Sequence, residues 1–248
     1  GTTTERDKRI ARLIHDYERA FDAATPARDT MFPTTRVITV DRAVAPESTV
    51  RTHDQVQSYI DQNEFIAVST CFCRHAAVLR DEEIHGMPND VCMQFGAGAQ
   101  FAAERLGARL LTKEEAREVI QRAEEAGLIH MSQNTAEGVG FICNCDRWHC
   151  GAVKSALSMS KPGAYFNSGF EPVFDPDHCT ACDICIDRCP PEALSMGEED
   201  VPVVDLDRCF GCAVCATGCP DEAIKMVNKP GFPEIPKDQK ALREAISG

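Results

Sequence analysis

The sequence predicts an α+β protein in two parts: a mixed α/β domain rich in cysteine, followed by a small domain with a twofold internal repeat. Helical and strand patterns are mixed over the first 170 residues. A 25-residue pattern recurs after 30 residues in the C-terminal third. The chain's 14 cysteines fall in both parts. We therefore expect domains at residues 1–170 and 171–228, with a proline-rich tail and a short helix at residues 229–248.

The composition is that of a soluble globular protein, with 43% hydrophobic and 26% charged residues. No apolar run approaches the roughly 18 residues of a membrane helix, so membrane insertion is not expected. The net charge of −13 opposes nucleic-acid binding and suits redox protein partners with basic docking surfaces. The cysteines lack the spacing of a secreted disulfide framework, which indicates metal binding in a reducing cytoplasm.

The first 70 residues predict two helices and two strands. An amphipathic N-terminal helix is indicated by apolar residues at helical spacing: Ile10, Leu13, Ile14, Tyr17 and Phe21. The stretch RVITV is typical of a strand. A capping box at residues 52–55 predicts a helix that buries Val56, Tyr59 and Ile60. The stretch FIAVST then predicts a buried strand that ends at Cys71.

Two further helices and a pair of strands are predicted before residue 150. One helix spans about residues 98–106. Another opens at Thr112, with Glu115 in the capping-box position, and its buried face is Ala116, Val119, Ile120 and Ala123. The strands are LIHMS and GFICN. A helix followed by a hairpin is also the outline of a winged helix, but the acidic balance and the lack of a basic stripe count against DNA binding.

The repeat carries the motif C-x2-C-x2-C-x3-C-P in each copy. In this spacing three thiolates bind one iron–sulfur cube and the fourth binds the other cube. The first [4Fe-4S] cluster is thus predicted to use Cys179, Cys182, Cys185 and Cys219. The second is predicted to use Cys209, Cys212, Cys215 and Cys189. We expect strands before each motif, and helices that start after Pro190 and Pro220. Zinc knuckles would not need four cysteines plus proline twice at one offset.

Residues 171–228 resemble the bacterial ferredoxins that hold two [4Fe-4S] clusters. The small residue before the second cysteine differs between the copies, Ala181 in the first and Gly211 in the second, and this difference should not impair ligation. The resemblance implies electron transfer, one electron at a time and at low potential.

Six further cysteines lie upstream of the repeat: Cys71, Cys73, Cys92, Cys143, Cys145 and Cys150. Two C-x-C pairs at strand ends would each present two thiols on one face. We expect four or more of the six to bind a third iron–sulfur cluster. Zinc, with His75 or His149 as a further ligand, is the alternative, and a redox-active dithiol or a catalytic metal site stays open. Arg74, His75 and His149 are candidates to hydrogen-bond this site, and Trp148 to shield it.

The order of motifs from Arg36 to Met226 resembles a family of anaerobic bacterial ferredoxin-like proteins, which implies electron transfer through three clusters. The sequence accordingly predicts an electron carrier, or an electron-transfer subunit of a larger redox complex. Two alternatives remain. One is an oxidoreductase whose upstream cysteine site is the active site. The other is an iron–sulfur regulator that senses redox state.

Overall fold

The computed structural model describes residues 2–24 and 32–247. Helices and strands alternate along these residues, with short 3₁₀ turns at Asp41–Ala43 and Thr52–Asp54. In chain order the elements are α1 (Glu5–Ala24), β1 (Thr35–Ile38), α2 (Val56–Gln62), β2 (Ile66–Ser69), α3 (Phe72–Leu79), β3 (Cys92–Phe95), α4 (Ala97–Arg105), β4 (Arg109–Leu111), α5 (Lys113–Glu125), β5 (Ile129–Gln133), β6 (Phe141–Cys145), α6 (Gly151–Leu157), α7 (Pro162–Tyr165), β7 (Phe170–Phe174), α8 (Ile184–Asp187), β8 (Leu194–Met196), β9 (Pro202–Val204), α9 (Val214–Thr217), β10 (Ile224–Asn228) and α10 (Gln239–Ser247).

The larger part is built on a six-stranded sheet in the order β1-β5-β6-β3-β2-β4, with every neighbouring pair antiparallel. Helices α2 and α5 pack against it and close a core with Ile60, Ile66, Met93, Ile120 and Ile142 at its centre. Removing these apolar side chains from water is the main favourable term for this part of the fold. No helix within the described ranges is both long and apolar enough to cross a membrane.

Helix α5 and the hairpin after it match the elements predicted from the sequence. The Thr112 hydroxyl accepts from the amide of Glu115 at 3.2 Å, and the Glu115 carboxylate accepts from the amide of Thr112 at 2.8 Å. These reciprocal bonds satisfy two amides that a helix start otherwise leaves without partners. The predicted inner face is buried, and Gly127, with φ of +74°, follows the helix.

Helix α1 forms where its periodicity predicts, but its apolar stripe does not enter a core. Leu13 is 59% exposed and Tyr17 is 68% exposed, whereas Ala11 is buried. The helix packs on α3, and its exposed pair Arg12–Asp81, at 3.5 Å, adds little to stability. The helical spacing of apolar residues therefore predicted the helix, but it did not predict which side of the helix packs against the rest of the protein.

The prediction that a helix opens at Thr52 was wrong by one turn. Residues Thr52–Asp54 form a 3₁₀ turn, and α2 begins at Val56. The Asp54 carboxylate accepts from the amide of Arg51 at 3.2 Å and forms an ion pair with Arg36 at 3.3 Å. These two interactions of the Asp54 carboxylate stabilise the tight turn, which ends before the helix starts. The predicted inward residues of α2 are nevertheless buried.

The C-terminal repeat folds into two small antiparallel ribbons, β7 with β10 and β8 with β9. The strands expected before each motif are present as β7 and β9. The helices expected after Pro190 and Pro220 are not: β8 and β10 follow these prolines, and the short helices α8 and α9 instead precede Cys189 and Cys219. Strand pairing between copies overrides the local helix preference of the Glu-Ala-Leu and Glu-Ala-Ile stretches.

The tail after β10 returns to the larger part of the molecule. The amide of Ala136 donates to the carbonyl of Pro236 at 2.9 Å, and the amide of Glu137 donates to that of Lys237 at 2.9 Å. The helix predicted in the tail is present as α10, and it buries Leu242. The tail is therefore part of the packed structure.

Candidate metal centres

The six upstream cysteines meet in a closed ring of thiols. Each thiol shifts the pKa of two others, and these interactions follow the order Cys71, Cys73, Cys150, Cys145, Cys143, Cys92 and back to Cys71. We call this set the six-thiol ring. All six side chains are buried or partly buried. The sequence predicted that four or more would share a site, and the structure places all six together.

The sheet explains how thiols distant in sequence come together. Strand β3 lies between β2 and β6, and the register that pairs Met93 with Ile142 sets Cys92 opposite Cys143. Cys143 and Cys145 are two residues apart in β6 and therefore point to the same face. Cys150 is the residue before α6. Strands β3 and β6 and the starts of helices α3 and α6 thus converge on one site.

The prediction that Cys71 and Cys73 lie in an extended strand was wrong. Strand β2 ends at Ser69, Cys71 precedes α3, and Cys73 lies in the first turn of that helix. The amide of Cys71 donates to the carbonyl of Asn89 at 2.6 Å, which fixes the chain where it turns from strand to helix. The two thiols still share the ring, but they reach it from a helix start.

The direction of the pKa shift alternates around the ring. Hydrogen bonds from both neighbours lower the pKa of Cys71, Cys143 and Cys150. The same bonds raise the pKa of the three thiols between them, whose protons are donated. Thiolate is the form that binds iron and zinc, so the thiols that ligate a metal would lose their protons on binding.

A buried ion pair crosses beside the ring. Arg74 Nη1 lies 2.9 Å from Asp146 Oδ2, and both side chains are only 1% exposed. Arg74 Nη2 also donates to the carbonyl of Asn144 at 3.1 Å. Burial opposes the charge on Arg74, but the charges of Cys71 and Asp146 outweigh it and raise the pKa of the guanidinium. Each C-x-C pair is therefore followed by one partner of the ion pair.

The Nε–H of Arg74 is the feature that tests whether a metal group fits the six-thiol ring. Arg74 Nε is buried and has no hydrogen-bond partner in the part of the chain that the structure describes. Leaving a buried N–H unpaired costs about 1–3 kcal/mol. The charges of Cys71 and Cys92 act on the same guanidinium, so ring thiols lie near it. Sulfur atoms of an iron–sulfur cluster held by the ring would supply the missing acceptor.

The two histidines that the sequence predicts near the site already have oxygen atoms beside their ring nitrogens. His149 has Asp146 Oδ1 3.0 Å from Nδ1 and the Glu83 carbonyl 3.1 Å from Nε2, so both ring nitrogens already face oxygen atoms. His75 Nε2 lies 3.0 Å from the carbonyl of Thr2.

Trp148 does not seal the site from water. It is 45% exposed and makes a tilted contact with His85, with ring centroids 4.7 Å apart. Sequence reasoning missed the role of Asp146, which accepts from the amides of Trp148 and His149 at 2.9 and 2.6 Å and pairs with Arg74. The charged residue that follows each C-x-C pair is the signal that could have identified this partnership.

The eight cysteines of the repeat line two separate cavities. The first cavity is lined by Cys179, Cys182, Cys185 and Cys219, and the second by Cys189, Cys209, Cys212 and Cys215. The structure thus brings together the same two quartets that the spacing groups. The donor set of each cavity, four thiols, fits a [4Fe-4S] cluster.

The loops around the two cavities share an unusual backbone. Left-handed φ values occur at equivalent places in the two copies, at Ala181 and Gly211, at Asp183 and Ala213, and at Glu192 and Glu222. Residues other than glycine pay about 1–2 kcal/mol for this conformation. Its recurrence in both copies shows that the loop shape is a property of the motif and not of one local sequence.

The two quartets differ in exposure. Cys182 is exposed, whereas Cys189, Cys212 and Cys215 are buried. Burial raises the pKa of Cys212 and Cys215 above the ordinary thiol value. The amide of Ala193 donates to Cys189 Sγ at 3.2 Å, and that of Gly211 donates to Cys209 Sγ at 3.4 Å. The first quartet is therefore the one near solvent, and the second lies in the interior.

The second quartet and the six-thiol ring border a common apolar core. This core contains Cys145 and Cys150 from the ring and Cys212 from the second quartet. Phe166 and Phe210 belong to the same core and meet edge to face with centroids 5.0 Å apart. We call this set the shared core.

Arg147 adds a polar link beside the shared core. Its guanidinium pairs with Glu192 at 2.6 Å, and its charge acts on Cys189. Across residues 2–24 and 32–247, no group of three or more His, Cys, Asp or Glu side chains has the geometry of a single-ion site.

One comparison with known proteins identifies the repeat. Residues 178–223 match the model of a 4Fe-4S dicluster domain, and the matched segment holds all eight cysteines of the repeat. No curated protein matches the chain. The chain therefore contains a ferredoxin-like iron–sulfur module of the [4Fe-4S] type, which supports a role in iron–sulfur electron transfer in general.

Proposed function

We propose that this protein relays single electrons at low potential through three iron–sulfur centres, as a carrier or as a subunit of a redox complex. The two repeat quartets would each hold one [4Fe-4S] cluster, and the six-thiol ring would hold the third centre. When bound, each cluster would accept and release one electron. The proposal also keeps the division expected from the sequence, with an α+β cysteine-rich part up to about residue 170 and the repeat after it.

The observation that carries the proposal is the shared core. Cysteines of the ring and of the second quartet belong to one apolar core, in which Phe166 and Phe210 are both fully buried. A dry, close-packed medium between two centres excludes water from both and keeps their relative positions constant. A third centre with only a structural role would not need to share a core with the interior quartet.

A structural zinc ion and a [4Fe-4S] cluster each use four thiolates, so the six thiols of the ring would suit either. We favour iron–sulfur because the same chain contains a 4Fe-4S dicluster domain. The Nε–H of Arg74 has no partner among the described residues, and a cluster sulfur beside the ring would supply one. Arg74 would also offset part of the negative charge of the thiolates, as Asp146 holds it in place.

The first quartet would be the exchange point with other proteins. Cys182 is exposed, and acidic residues such as Asp183 and Asp221 lie beside it on the same cavity. We therefore propose basic redox partners that dock on this face, in the cytoplasm, and no nucleic-acid partner. The rate of electron transfer to a basic cytochrome c should then fall steeply between 50 mM and 500 mM salt, and a rate independent of salt would contradict this docking mode.

The metal content of anaerobically purified protein tests the proposal directly. Three [4Fe-4S] clusters predict about 12 iron and about 12 acid-labile sulfide per chain without zinc. Reduced samples should show interacting spins from three centres by EPR, with midpoint potentials near −400 mV. About 8 iron with one zinc, or about 8 iron with neither, would contradict a third cluster.

A pair of variants locates the third centre. Cys143→Ser/Cys145→Ser should lose about 4 iron while the other two centres keep their EPR signals. Val153→Ala serves as the control, because it perturbs the same shared core without removing a thiol. Loss of iron in the control as well would mean that packing, and not ligation, explains the result.

A second candidate function is an oxidoreductase whose active site is the six-thiol ring. The observation that favours it is a groove of about 730 Å³ whose lining includes Cys73. A pure relay does not need a groove of ligand size. Reoxidation of the reduced protein that depends on an added substrate would support this candidate, and a rate that no small molecule changes would favour the relay.

A further inference from the structure

A groove lies beside Cys73. Helices α1, α3 and α6 form its walls, together with the turn that carries Trp148 and His149. Its volume of about 730 Å³ lies in the range of small-molecule sites. Of the six ring thiols, Cys73 is the one that lines it. An occupant of the groove would therefore touch the edge of the ring.

The apolar lining of the groove includes two exposed aromatic rings. Phe72 is 65% exposed, and Trp148 is 45% exposed. Trp148 packs against His85 in a tilted contact, and His85 also lies 6.0 Å from the ring of His149. Large aromatic side chains that stay exposed in a concave surface offer a flat ligand a stacking partner at low entropic cost. The lining therefore favours a ligand with a planar apolar part.

The charges that face the groove come from all of its walls. Arg80 is bound by Glu82 through two hydrogen bonds of 2.8 and 2.9 Å, which lower the pKa of Glu82. His15 and His149 lie close enough for their charges to act on the same carboxylate. Glu82 thus offsets the positive charge beside it, and this set leaves little free charge to bind a ligand.

The groove keeps two cations that are not matched in this way. Arg19 on α1 and Lys154 on α6 both line it. Neither forms an ion pair with any residue that the structure describes. Glu18 is the one carboxylate in the lining besides Glu82. In a chain of net charge −13, a groove with this balance is a local positive site.

We propose that this groove binds a small aromatic carboxylate, with its ring against Phe72 and Trp148 and its carboxylate between Arg19 and Lys154. This inference deepens the second candidate function, since a ligand held there lies next to Cys73. It does not depend on which metal the ring holds, because it concerns binding alone.

The test is calorimetric titration of the full chain, purified anaerobically, with three probes of one shape. The probes are 2-naphthoate, 2-naphthamide and 2-naphthylmethylammonium, which carry negative, zero and positive charge. We expect naphthoate to bind at least about tenfold more tightly than the amide, as charge-assisted hydrogen bonds predict. The cation should bind most weakly. Equal affinities for the three probes, or no binding of naphthoate, would overturn the proposal.

Variants locate the binding. Arg19→Gln/Lys154→Gln should weaken naphthoate about tenfold, to the affinity of the amide, and leave the amide unchanged. The control is Arg9→Gln/Lys240→Gln, which removes the same charges from α1 and from α10 outside the groove. Equal losses in both double variants would show a general charge effect and refute the site.

Iron and sulfide are counted in the same samples. A failure of naphthoate to bind therefore cannot be mistaken for loss of a metal centre. Conversely, a chain with only about 8 iron that still binds naphthoate would refute the three-centre relay and keep the groove.

Discussion

Gly211 and Ala181 occupy equivalent positions in the two copies of the repeat, and the structure predicts opposite tolerance to substitution at them. Both have left-handed backbones, with φ of +66° at Gly211 and +51° at Ala181. The copies differ in what lies beside them. Gly211 is pressed against the segment that enters β7, where a Cβ would lie 2.2 Å from the Phe170 carbonyl oxygen and 2.5 Å from Ser168 Oγ.

The neighbours of Gly211 cannot easily move. Ser168 Oγ donates to the carbonyl of Gly211 at 2.7 Å and accepts from the amide of Phe170 at 3.2 Å. A methyl group at position 211 would have to displace backbone by the better part of an ångström, and overpacking of this kind costs about 1–3 kcal/mol. The left-handed φ adds about 1–2 kcal/mol for a residue with a Cβ. We expect Gly211→Ala to destabilise the protein by about 3 kcal/mol.

The matched change in the other copy is Ala181→Gly. It relieves about 1 kcal/mol of left-handed strain and gives back a similar amount through the larger entropy of the unfolded chain. We expect a change of less than about 0.5 kcal/mol.

Guanidinium unfolding under anaerobic conditions, followed by circular dichroism, compares both variants with the unmodified chain. Iron per chain is measured on the same samples, and we expect a loss of about 4 iron only in Gly211→Ala. If Gly211→Ala unfolds at the same midpoint as Ala181→Gly and keeps its iron, the packing of Gly211 against the β7 segment does not constrain the second cavity.

Three further predictions concern the buried groups. Arg74→Met should destabilise the protein by about 3–5 kcal/mol, because it leaves Asp146 buried without its partner. Arg74→Met/Asp146→Asn should recover most of that loss, because asparagine removes the unpaired charge and keeps an oxygen for the amides of Trp148 and His149; equal midpoints for the single and double variants would contradict this. Phe210→Ala should cost about 3–5 kcal/mol, because its fully buried ring meets Phe166 edge to face, and an unfolding midpoint within error of the unmodified chain would exclude a tight shared core. Burial raises the pKa of Asp41 to about 6, above its unfolded value, so the folded state holds a proton that the unfolded state has lost between about pH 4 and pH 6. Stability should therefore fall as pH rises from about 4 to about 6. Asp41→Asn should be about 1–2 kcal/mol more stable at pH 7 and should lack this decline in a series of unfolding curves across the same window; parallel pH profiles for the two proteins would disprove it.

The N-terminal helix shows how far periodicity reaches. The spacing of its apolar residues is enough to predict α1, since side chains three and four apart lie on one face of any helix. Periodicity contains no information about what that face meets. In the structure Leu13 and Tyr17 are mostly exposed, and only Ala11 is buried.

The short strands of the repeat show the opposite limit. Glu192 and Glu222 begin stretches of good helix formers, yet both residues are left-handed and strands follow them. Pairing of β8 with β9 and of β10 with β7 joins segments distant in sequence, and such pairing outweighs propensities of a few tenths of a kcal/mol per residue.

By itself, the sequence determined the two quartets of the repeat, the capped helix α5, the hairpin after it, and the expectation that the extra cysteines share one site. These features depend on residue types at fixed short spacings, which local geometry translates directly into structure. The tertiary structure alone decided the order of the six-thiol ring, the partnership of Arg74 with Asp146, and the apolar core that contains cysteines of both the ring and the second quartet. Each of these joins segments that are tens of residues apart, and only the packing of the antiparallel sheet and the repeat brings such segments into contact.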